Sequence, residues 1–451
     1  MMDSENKVFL HTGFSYDITK IKEAITDSNV LDIIKPGNKV VLKPNFVQES
    51  RDQDDDWDYV ITHPTVITAV LELVCESLEG TGEIVIADAP MTPTRFDKLL
   101  EHMPVSSWKE LCGNNHIAFS IVDLRDEEWF NADNGIILKK SDLPGDPMGK
   151  VLCDLLDDNS EFYGKKISSQ GYYGASYDLK ETNHAHNGHN NQYSVSKTVM
   201  TADVLINIPK LKSHKKAGLT CCLKNLVGIN TNKNLLPHHT SGTASEGGDQ
   251  FSVDNASRKL ESWLTIYAKK TVYKFKFLTP LLVPLKNIAL MVWGDNKKTP
   301  RSGGWYGNDT LWRTILDLNK VMFYANGDGS LKTDKIENRK HYIGIVDGIL
   351  GGDGNGPLAP DKVESGFLIL GTNPVAIDCI AAYVMGFDYK KISSLANAFQ
   401  CKKYRLADFQ YEKIICELDH KQAVRIKDLP KEIIVRFRAA SGWKGHIEAD
   451  E

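Results

Sequence analysis

The stretch Val40-Val41-Leu42-Lys43-Pro44-Asn45 sets the pattern that decides the fold: a short apolar run ends abruptly in polar residues and proline. The same design recurs at Ile84–Ile86, Val204–Ile206, Ile343–Val346 and Phe367–Leu370. Continuous rather than alternating apolarity predicts strands buried on both faces, as in a parallel sheet covered by helices. We therefore expect an α/β fold with a largely parallel sheet flanked by helices and with long loop insertions.

Two helices are predicted between these strands. Residues 64–78 place six apolar side chains on one helical stripe, namely Val66, Ile67, Val70, Leu71, Val74 and Leu78. Asn373-Pro374 is a suitable N-cap and first-turn pair for a second helix, which runs to Met385.

Composition divides the chain into four parts. They are an N-terminal α/β part (1–150), an inserted loop-rich part with the Lys/His motif (151–260), a basic-apolar helical segment (261–300) and a C-terminal α/β part that completes the core (301–451). Residues 155–195 and 231–257 are rich in Gly, Asn, Ser, Asp and His. They predict long functional loops, with disorder as the alternative.

Overall composition narrows the function classes. The 451 residues carry 54 Lys and Arg against 59 Asp and Glu, a formal charge of −5, which argues against nucleic acid as a partner. The polar, acidic start lacks a signal peptide, so we expect a cytoplasmic protein. Eight scattered cysteines include no C-x-x-C pair, so no iron-sulfur cluster is expected.

Polar residues follow each predicted strand. Ligands of open α/β sheets bind beyond the carboxyl ends of the strands. The residues expected to meet there are Lys43, Asn45, Asp88, Lys210, Asp347 and Asn373. The densest polar stretch, Pro209–Lys216, holds four lysines and His214, which predicts a phosphate or carboxylate site. The alternative is a solvated basic loop.

A glycine-rich segment, Asp347–Pro357, is the second candidate for anion binding. Its five glycines, Gly354 and Gly356 among them, would let backbone N–H groups approach a ligand closely. The segment matches neither a dinucleotide fingerprint nor a Walker loop. A structural turn is the alternative.

Four residues are candidate ligands for a divalent metal ion. Asp378 lies inside an apolar helix, where an unpaired carboxylate needs a cation or backbone donors. His238, His239 and Asp249 supply imidazole and carboxylate groups, the common ligands of iron, manganese and zinc. Histidines held by ordinary hydrogen bonds and a capping carboxylate are the alternatives.

Several segments resemble the family known as domain of unknown function 362. The shared motifs are Lys43-Pro44-Asn45, Ile86–Pro90, Ala202–His214, Leu223–Gly228 and Asn373–Asp378, and Leu236–His239, Gly247–Asp249 and Gly303–Thr314 resemble a longer branch of the family. The resemblance covers residues 36 to 400. Many members carry a four-cysteine iron-sulfur segment that this chain lacks. For the longer branch, the resemblance implies surface-polysaccharide assembly.

The first functional hypothesis is an enzyme acting on an anionic small molecule, such as a phosphorylated or acidic sugar. The predicted substrate-binding residues are Lys43, Asn45, Lys210, Lys212, Lys224, Asn225, Gly354 and Gly356. The predicted catalytic residues are His214, Asp347 and Asp88, with His214 favoured for proton transfer. The second hypothesis is a non-catalytic binding or scaffold protein, held at a membrane surface through residues 269–293. An iron-sulfur or redox protein is disfavoured. The sequence leaves the oligomeric state open.

Overall fold

The structure is a computed structural model that describes residues 5–49, 56–132, 135–174, 178–274, 284–287, 291 and 300–450. Its strands are β1 (Lys7–His11), β2 (Lys39–Pro44), β3 (Glu83–Asp88), β4 (Ala118–Asp123), β5 (Glu127–Asn131), β6 (Ile137–Asp142), β7 (Lys150–Asp154), β8 (Tyr172–Tyr173), β9 (Gln192–Ser196), β10 (Val204–Ile208), β11 (Lys210–His214), β12 (Gly218–Thr220), β13 (His239–Thr240), β14 (His341–Asn355), β15 (Ala359–Gly371), β16 (Ile415–Leu418) and β17 (Val424–Arg425).

The helices cover both faces of the sheet and several connections. They are α1 (Ile18–Ser28), α2 (Trp57–Val60), α3 (Pro64–Leu78), α4 (Phe96–Glu101), α5 (Val105–Asn114), α6 (Leu179–Ala185), α7 (Lys197–Met200), α8 (Cys222–Asn225), α9 (Ala256–Lys274), α10 (Leu311–Tyr324), α11 (Pro374–Val384) and α12 (Ser393–Ala398).

The central sheet has the order β17-β16-β1-β15-β14-β10-β2-β3-β4, and β11 joins it between β14 and β12. The neighbours β14, β10, β2, β3 and β4 are all parallel. β15 runs antiparallel to both β14 and β1. The predicted α/β class with a largely parallel, helix-covered sheet is confirmed.

All five apolar runs are strands, but one edge prediction is wrong. β15 is antiparallel, so its carboxyl end and Asn373 lie at the opposite edge from the ends of β2, β3 and β10. Asn373 instead caps α11, where its side-chain oxygen accepts from the N–H groups of Val375 and Ala376. This cap confirms the predicted helix start.

Two apolar cores lie on the two faces of the sheet. Alternation along β2 sends Val41 into the core that α10 and α11 cover, and Val40 and Leu42 into the core that α3 covers. The predicted stripe of α3 is buried throughout, because the helix packs flat on the second face.

The loop-rich part contributes more than connections. Its strand β10 lies between β14 and β2 in the central sheet, and all five of its residues are buried. The four-part division stays a prediction. Most of residues 269–293 lie outside the described residues. In the described part of the chain, no helix combines the length and apolarity needed to cross a membrane.

Candidate functional site

A buried ion pair lies at the carboxyl ends of β2 and β3. The Nζ atom of Lys43 is 2.7 Å from Oδ1 of Asp88, and both side chains are almost fully buried. The other Asp88 oxygen accepts from the Phe46 N–H at 2.8 Å. Burial lowers the pKa of Lys43, and the Asp88 carboxylate opposes that shift. Gly228 packs so closely that a Cβ there would be 2.2 Å from Asp88 Oδ1.

Two asparagines hold the Lys43 side chain from the α8 face of the sheet. Lys43 Nζ donates to Asn225 Oδ1 at 3.3 Å, and Asn225 Nδ2 donates to Asn207 Oδ1 at 2.8 Å. Asn207 in turn donates to the Cys222 carbonyl and to the Tyr342 hydroxyl. Asn225 was predicted from the sequence to bind substrate. Asn207 was not singled out, although a lone amide inside the apolar strand β10 could have indicated it.

Lys210 and Asp347 form a second buried ion pair. Lys210 Nζ is 2.6 Å from Asp347 Oδ2, and both side chains are fully buried. The other donors to Asp347 are the His63 N–H at 2.9 Å, the Tyr16 hydroxyl at 3.1 Å and, more weakly, the Ile349 N–H at 3.4 Å. Lys210 also donates to the Asp58 carbonyl in α2 at 2.6 Å. The candidate residues thus form two ion pairs, Lys43 with Asp88 and Lys210 with Asp347.

A groove of about 580 Å³ opens beside this second pair. The Tyr16 ring stacks on the His63 ring at 3.6 Å, and Tyr16 also accepts from Lys210 Nζ at 2.9 Å. The groove is lined by Tyr16, Ile18, Pro64, Thr65, Thr68, His102, Met103 and Pro104. Burial lowers the pKa of His63. The predicted substrate-binding and catalytic residues omitted Tyr16, since a tyrosine in a polar loop carries no distinguishing signal.

Most of the lysine-rich stretch is a buried strand, so the solvated-loop alternative is wrong for Lys210 and Lys212, while Lys215 and Lys216 follow in a half-buried turn. All five residues of β11 are buried beside β14 and β12. Lys212 Nζ donates to the Val60 carbonyl at 2.5 Å. Burial, followed by the Lys210 and Lys224 ammonium groups, holds the pKa of Lys212 well below its usual range.

His214 is held as a neutral imidazole. Its Nδ1 accepts from the N–H groups of Lys216 and Ala217, both at 3.0 Å. Burial and then the nearby Lys224 ammonium hold its pKa well below the ordinary 6.5. A neutral ring whose Nδ1 accepts carries its proton on Nε2. His214 can therefore donate a hydrogen bond from Nε2, rather than act as a cationic acid.

Two further lysines lack a partner. Among the described residues, neither Lys216 nor Lys224 has a hydrogen bond or ion pair from its ammonium group. Burial lowers the pKa of each to about 8, helped by Lys215 for Lys216 and by Lys43 for Lys224. Lys233 is anchored on the Ala89 and Asn230 carbonyls, and burial lowers its pKa to about 7. The term lysine cluster is used below for Lys43, Lys212, Lys216, Lys224 and Lys233 with His214 and His238.

The predicted metal ligand Asp378 lies beside two cysteines. Cys221, Cys222 and Asp378 form the one group of three His, Cys, Asp or Glu ligand atoms within 4.8 Å in the described chain. The Asp378 oxygens accept from the N–H groups of Cys222 at 2.7 Å and Leu223 at 3.0 Å. These donors match the alternative of a buried carboxylate capped by backbone. Burial also raises its pKa to about 6.

The other predicted metal ligands do not join Asp378. Asp249 accepts from the Thr240 N–H at 2.6 Å and from the Thr310 hydroxyl at 2.6 Å. His238 donates from Nδ1 to the Leu236 carbonyl at 2.8 Å, and burial lowers its pKa to about 3. His239 stacks on the Tyr173 ring. The hydrogen bonds of Asp249 link β13 to the start of α10, and β13 pairs with β8. The divalent metal ion stays a prediction.

The glycine-rich segment is mostly strand rather than loop. Residues 347–355 continue strand β14, where Gly354 pairs with Pro360. A Cβ on Gly356 would be 2.1 Å from the Ser213 carbonyl oxygen, and one on Gly351 would be 2.7 Å from the Phe437 ring. These glycines permit close packing. The role of Gly354 and Gly356 in binding a substrate stays a prediction.

Asn45 lies directly after β2 and next to the first pair. Its N–H donates to the Thr62 hydroxyl at 2.8 Å. Its side-chain Oδ1 is buried and has no hydrogen-bond partner among the described residues. A buried acceptor without a donor is uncommon, and a bound ligand could supply the donor.

Comparison with known proteins gives a family and two partial similarities. A thylakoid-associated protein of Synechocystis sp. is 28% identical over 198 residues, which are 44% of this chain and 40% of that protein. The chain therefore spans two fifths of that relative's length. The crystal structure of a Thermotoga maritima protein covers 48% of this chain and 39% of its own at 15% identity, and its TM-score of 0.26 is too low to carry an argument. The model of the family described as domain of unknown function (DUF362) matches residues 40–149 and 168–383, which is most of the chain. The chain belongs to the DUF362 family.

Proposed function

We propose that the protein binds an anionic, hydroxylated small molecule, such as a sugar phosphate or a sugar acid, at the lysine cluster. The observation that carries this proposal is the excess of buried and half-buried cations at the carboxyl edge of the parallel strands. Lys43 is matched by Asp88, whereas the half-buried Lys216 and Lys224 form no ion pair in the described chain, and the charges of Asp249 and Asp88 only partly oppose the lowering of their pKa. Burying ammonium groups without counter-charge is unfavourable unless an anion accompanies them.

Each group of the cluster has a role in this proposal. Lys216 and Lys224 would pair with the phosphate or carboxylate oxygens as charge-assisted donors. His214, neutral and protonated on Nε2, would add a hydrogen bond without adding charge. The unpartnered Asn45 Oδ1 would accept from a ligand hydroxyl, which favours a hydroxylated anion over a bare one.

A catalytic role is the finer part of the proposal. Asp88 and Asp347 are each held by a lysine and by backbone donors, so both carboxylates are positioned to orient lysines. We therefore propose that His214 and the unpaired lysines carry the substrate-facing chemistry. A non-catalytic binding protein would use the same residues and would differ by showing no turnover. A role in surface-polysaccharide assembly stays a prediction.

Isothermal titration calorimetry at pH 7 tests the proposal. Inorganic phosphate, glucose 1-phosphate and glucuronate are titrated separately into the native protein and into Lys224→Met and Lys216→Met variants. Losing one charge-assisted hydrogen bond should weaken binding about 10- to 100-fold. Lys402→Met, at an exposed position, is the matched control and should bind as the native protein does. Absence of saturable binding, or equal loss in the control, would overturn the proposal.

A further inference from the structure

One side of helix α9 exposes an apolar stripe. Leu260, Trp263, Leu264 and Tyr267 are 51%, 57%, 37% and 61% exposed. Their spacing of three, four and seven residues places them on one side of the helix. The Trp263 and Tyr267 rings stack at 5.6 Å, so the two aromatic residues present one continuous surface.

The other side of α9 is fixed to the protein body. Ser262 is fully buried and its hydroxyl lies 2.7 Å from Gln170 Oε1 and 2.8 Å from Gln250 Oε1. Ile266 is 8% exposed, and Arg301 forms an ion pair with Glu261 at 3.3 Å. The helix is thus anchored by one face, and the exposed stripe is not a fraying end.

The sequence that follows Glu261 is basic. Between Glu261 and Asp295 the sequence contains no aspartate or glutamate and five lysines. Among them, Lys270 is exposed and follows Tyr267 by three residues, so it borders the stripe. An apolar helix face bordered by lysine is typical of a segment that lies in the interface of an anionic bilayer.

We propose that α9 docks the protein on an anionic lipid surface through Leu260, Trp263, Leu264 and Tyr267. Tryptophan and tyrosine prefer the headgroup region, where an apolar ring and a polar tip are both satisfied. Lys270 would reach the lipid phosphates while its stem follows the apolar face. The helix would lie on the membrane and not cross it, since α9 carries charged residues along its length.

A second copy of this chain fits the stripe less well. A symmetric dimer brings the same patch against itself. Both partners would then bring the exposed Lys270 to the interface, and like charges in contact oppose association. A lipid surface of opposite charge meets the same stripe without this repulsion. This inference is independent of the anion proposed for the lysine cluster.

Vesicle co-sedimentation tests the docking. The native chain should bind vesicles of three parts phosphatidylcholine to one part phosphatidylglycerol, and bind pure phosphatidylcholine far more weakly. Replacing Trp263 and Tyr267 with serine should weaken partitioning at least about tenfold, because two large apolar surfaces are lost. Lys270→Gln should weaken it about fivefold, the effect of one lysine near an anionic surface.

The matched control replaces two other exposed apolar side chains. Leu152 and Tyr163 are 55% and 57% exposed, and Asp154, Asp157 and Asp158 lie between them in the sequence. Leu152→Ser with Tyr163→Ser should leave vesicle binding unchanged, and circular dichroism shows whether each variant is folded. Equal binding to neutral vesicles, or an equal loss in the control, overturns the proposal. So does a dimer in light scattering that only the α9 variants dissociate.

Discussion

Replacing Lys224 with methionine should make the unliganded protein more stable while it weakens anion binding. Methionine keeps the apolar stem but removes the ammonium group, which has no partner among the described residues. Burial and the nearby Lys43 lower the pKa of Lys224 from 10.5 to about 8. Binding sites commonly contain groups that lower the stability of the unliganded protein.

The size of the gain follows from linkage. The folded pKa lies below the unfolded one, so the unfolded chain holds the proton more tightly, and the charged lysine penalises folding at every pH below about 8. Because burial lowers the pKa from 10.5 to about 8 and each tenfold change in proton affinity corresponds to 1.36 kcal/mol, the penalty at pH 7 is at most about 3 kcal/mol. The penalty disappears as pH rises from about 8 to 10.5.

Urea unfolding followed by tryptophan fluorescence measures this difference. At pH 7 the variant should have a larger free energy of unfolding than the native protein, and the gap should close at pH 10. Lys402→Met, an exposed control, should stay within about 0.5 kcal/mol of the native protein. A variant of equal or lower stability at pH 7, or a gap independent of pH, refutes the reasoning that the ammonium is buried at a cost.

Three further predictions concern the same edge of the sheet. Asp88→Asn leaves the Lys43 ammonium buried without its counter-charge, so urea unfolding should show a loss of about 3–5 kcal/mol; a loss below 1 kcal/mol would contradict this. Gly228→Ala should lower stability by about 1–3 kcal/mol, because a Cβ would be 2.2 Å from Asp88 Oδ1. Its control is Gly113→Ala in α5, where a Cβ meets nothing within 4 Å and alanine favours the helix, and equal losses at both glycines would argue against crowding of the pair. Phosphate affinity should fall as pH rises above about 8, where Lys224 loses its proton. Calorimetry in two buffers of different ionisation enthalpy should show proton uptake near pH 8, and a pH-independent affinity would count against the lysines as ligands.

Much of the site's location could be predicted from the sequence. Lys43, Asp88 and Lys210 each follow an apolar run, and the parallel strands bring the ends of β2, β3 and β10 to one edge. Helix α11 also begins as predicted, because the Asn373 cap is a local interaction between residues adjacent in the chain. Predictions of this kind hold because strand burial and helix capping depend on nearby residues.

The partners of the charged groups could not be predicted. The sequence does not say that Lys43 meets Asp88 while Lys210 meets Asp347, 137 positions away, since 347 − 210 = 137. Nor does it indicate that Asp378 is satisfied by the N–H groups of Cys222 and Leu223. Ion pairs between distant residues are decided by which strands become neighbours.

The sequence by itself determined the α/β class, the five strands, the helix starts and the family. The tertiary structure alone decided strand direction, the sides of the sheet and the state of each lysine. The apolar run of β15 does not indicate the direction of that strand. Its pairing with β14 and β1 makes β15 antiparallel, and Asn373 therefore lies away from the edge where β2, β3 and β10 end. Burial likewise comes from packing between distant segments. It explains why the pKa of Lys224 is lowered, whereas Lys402 is exposed.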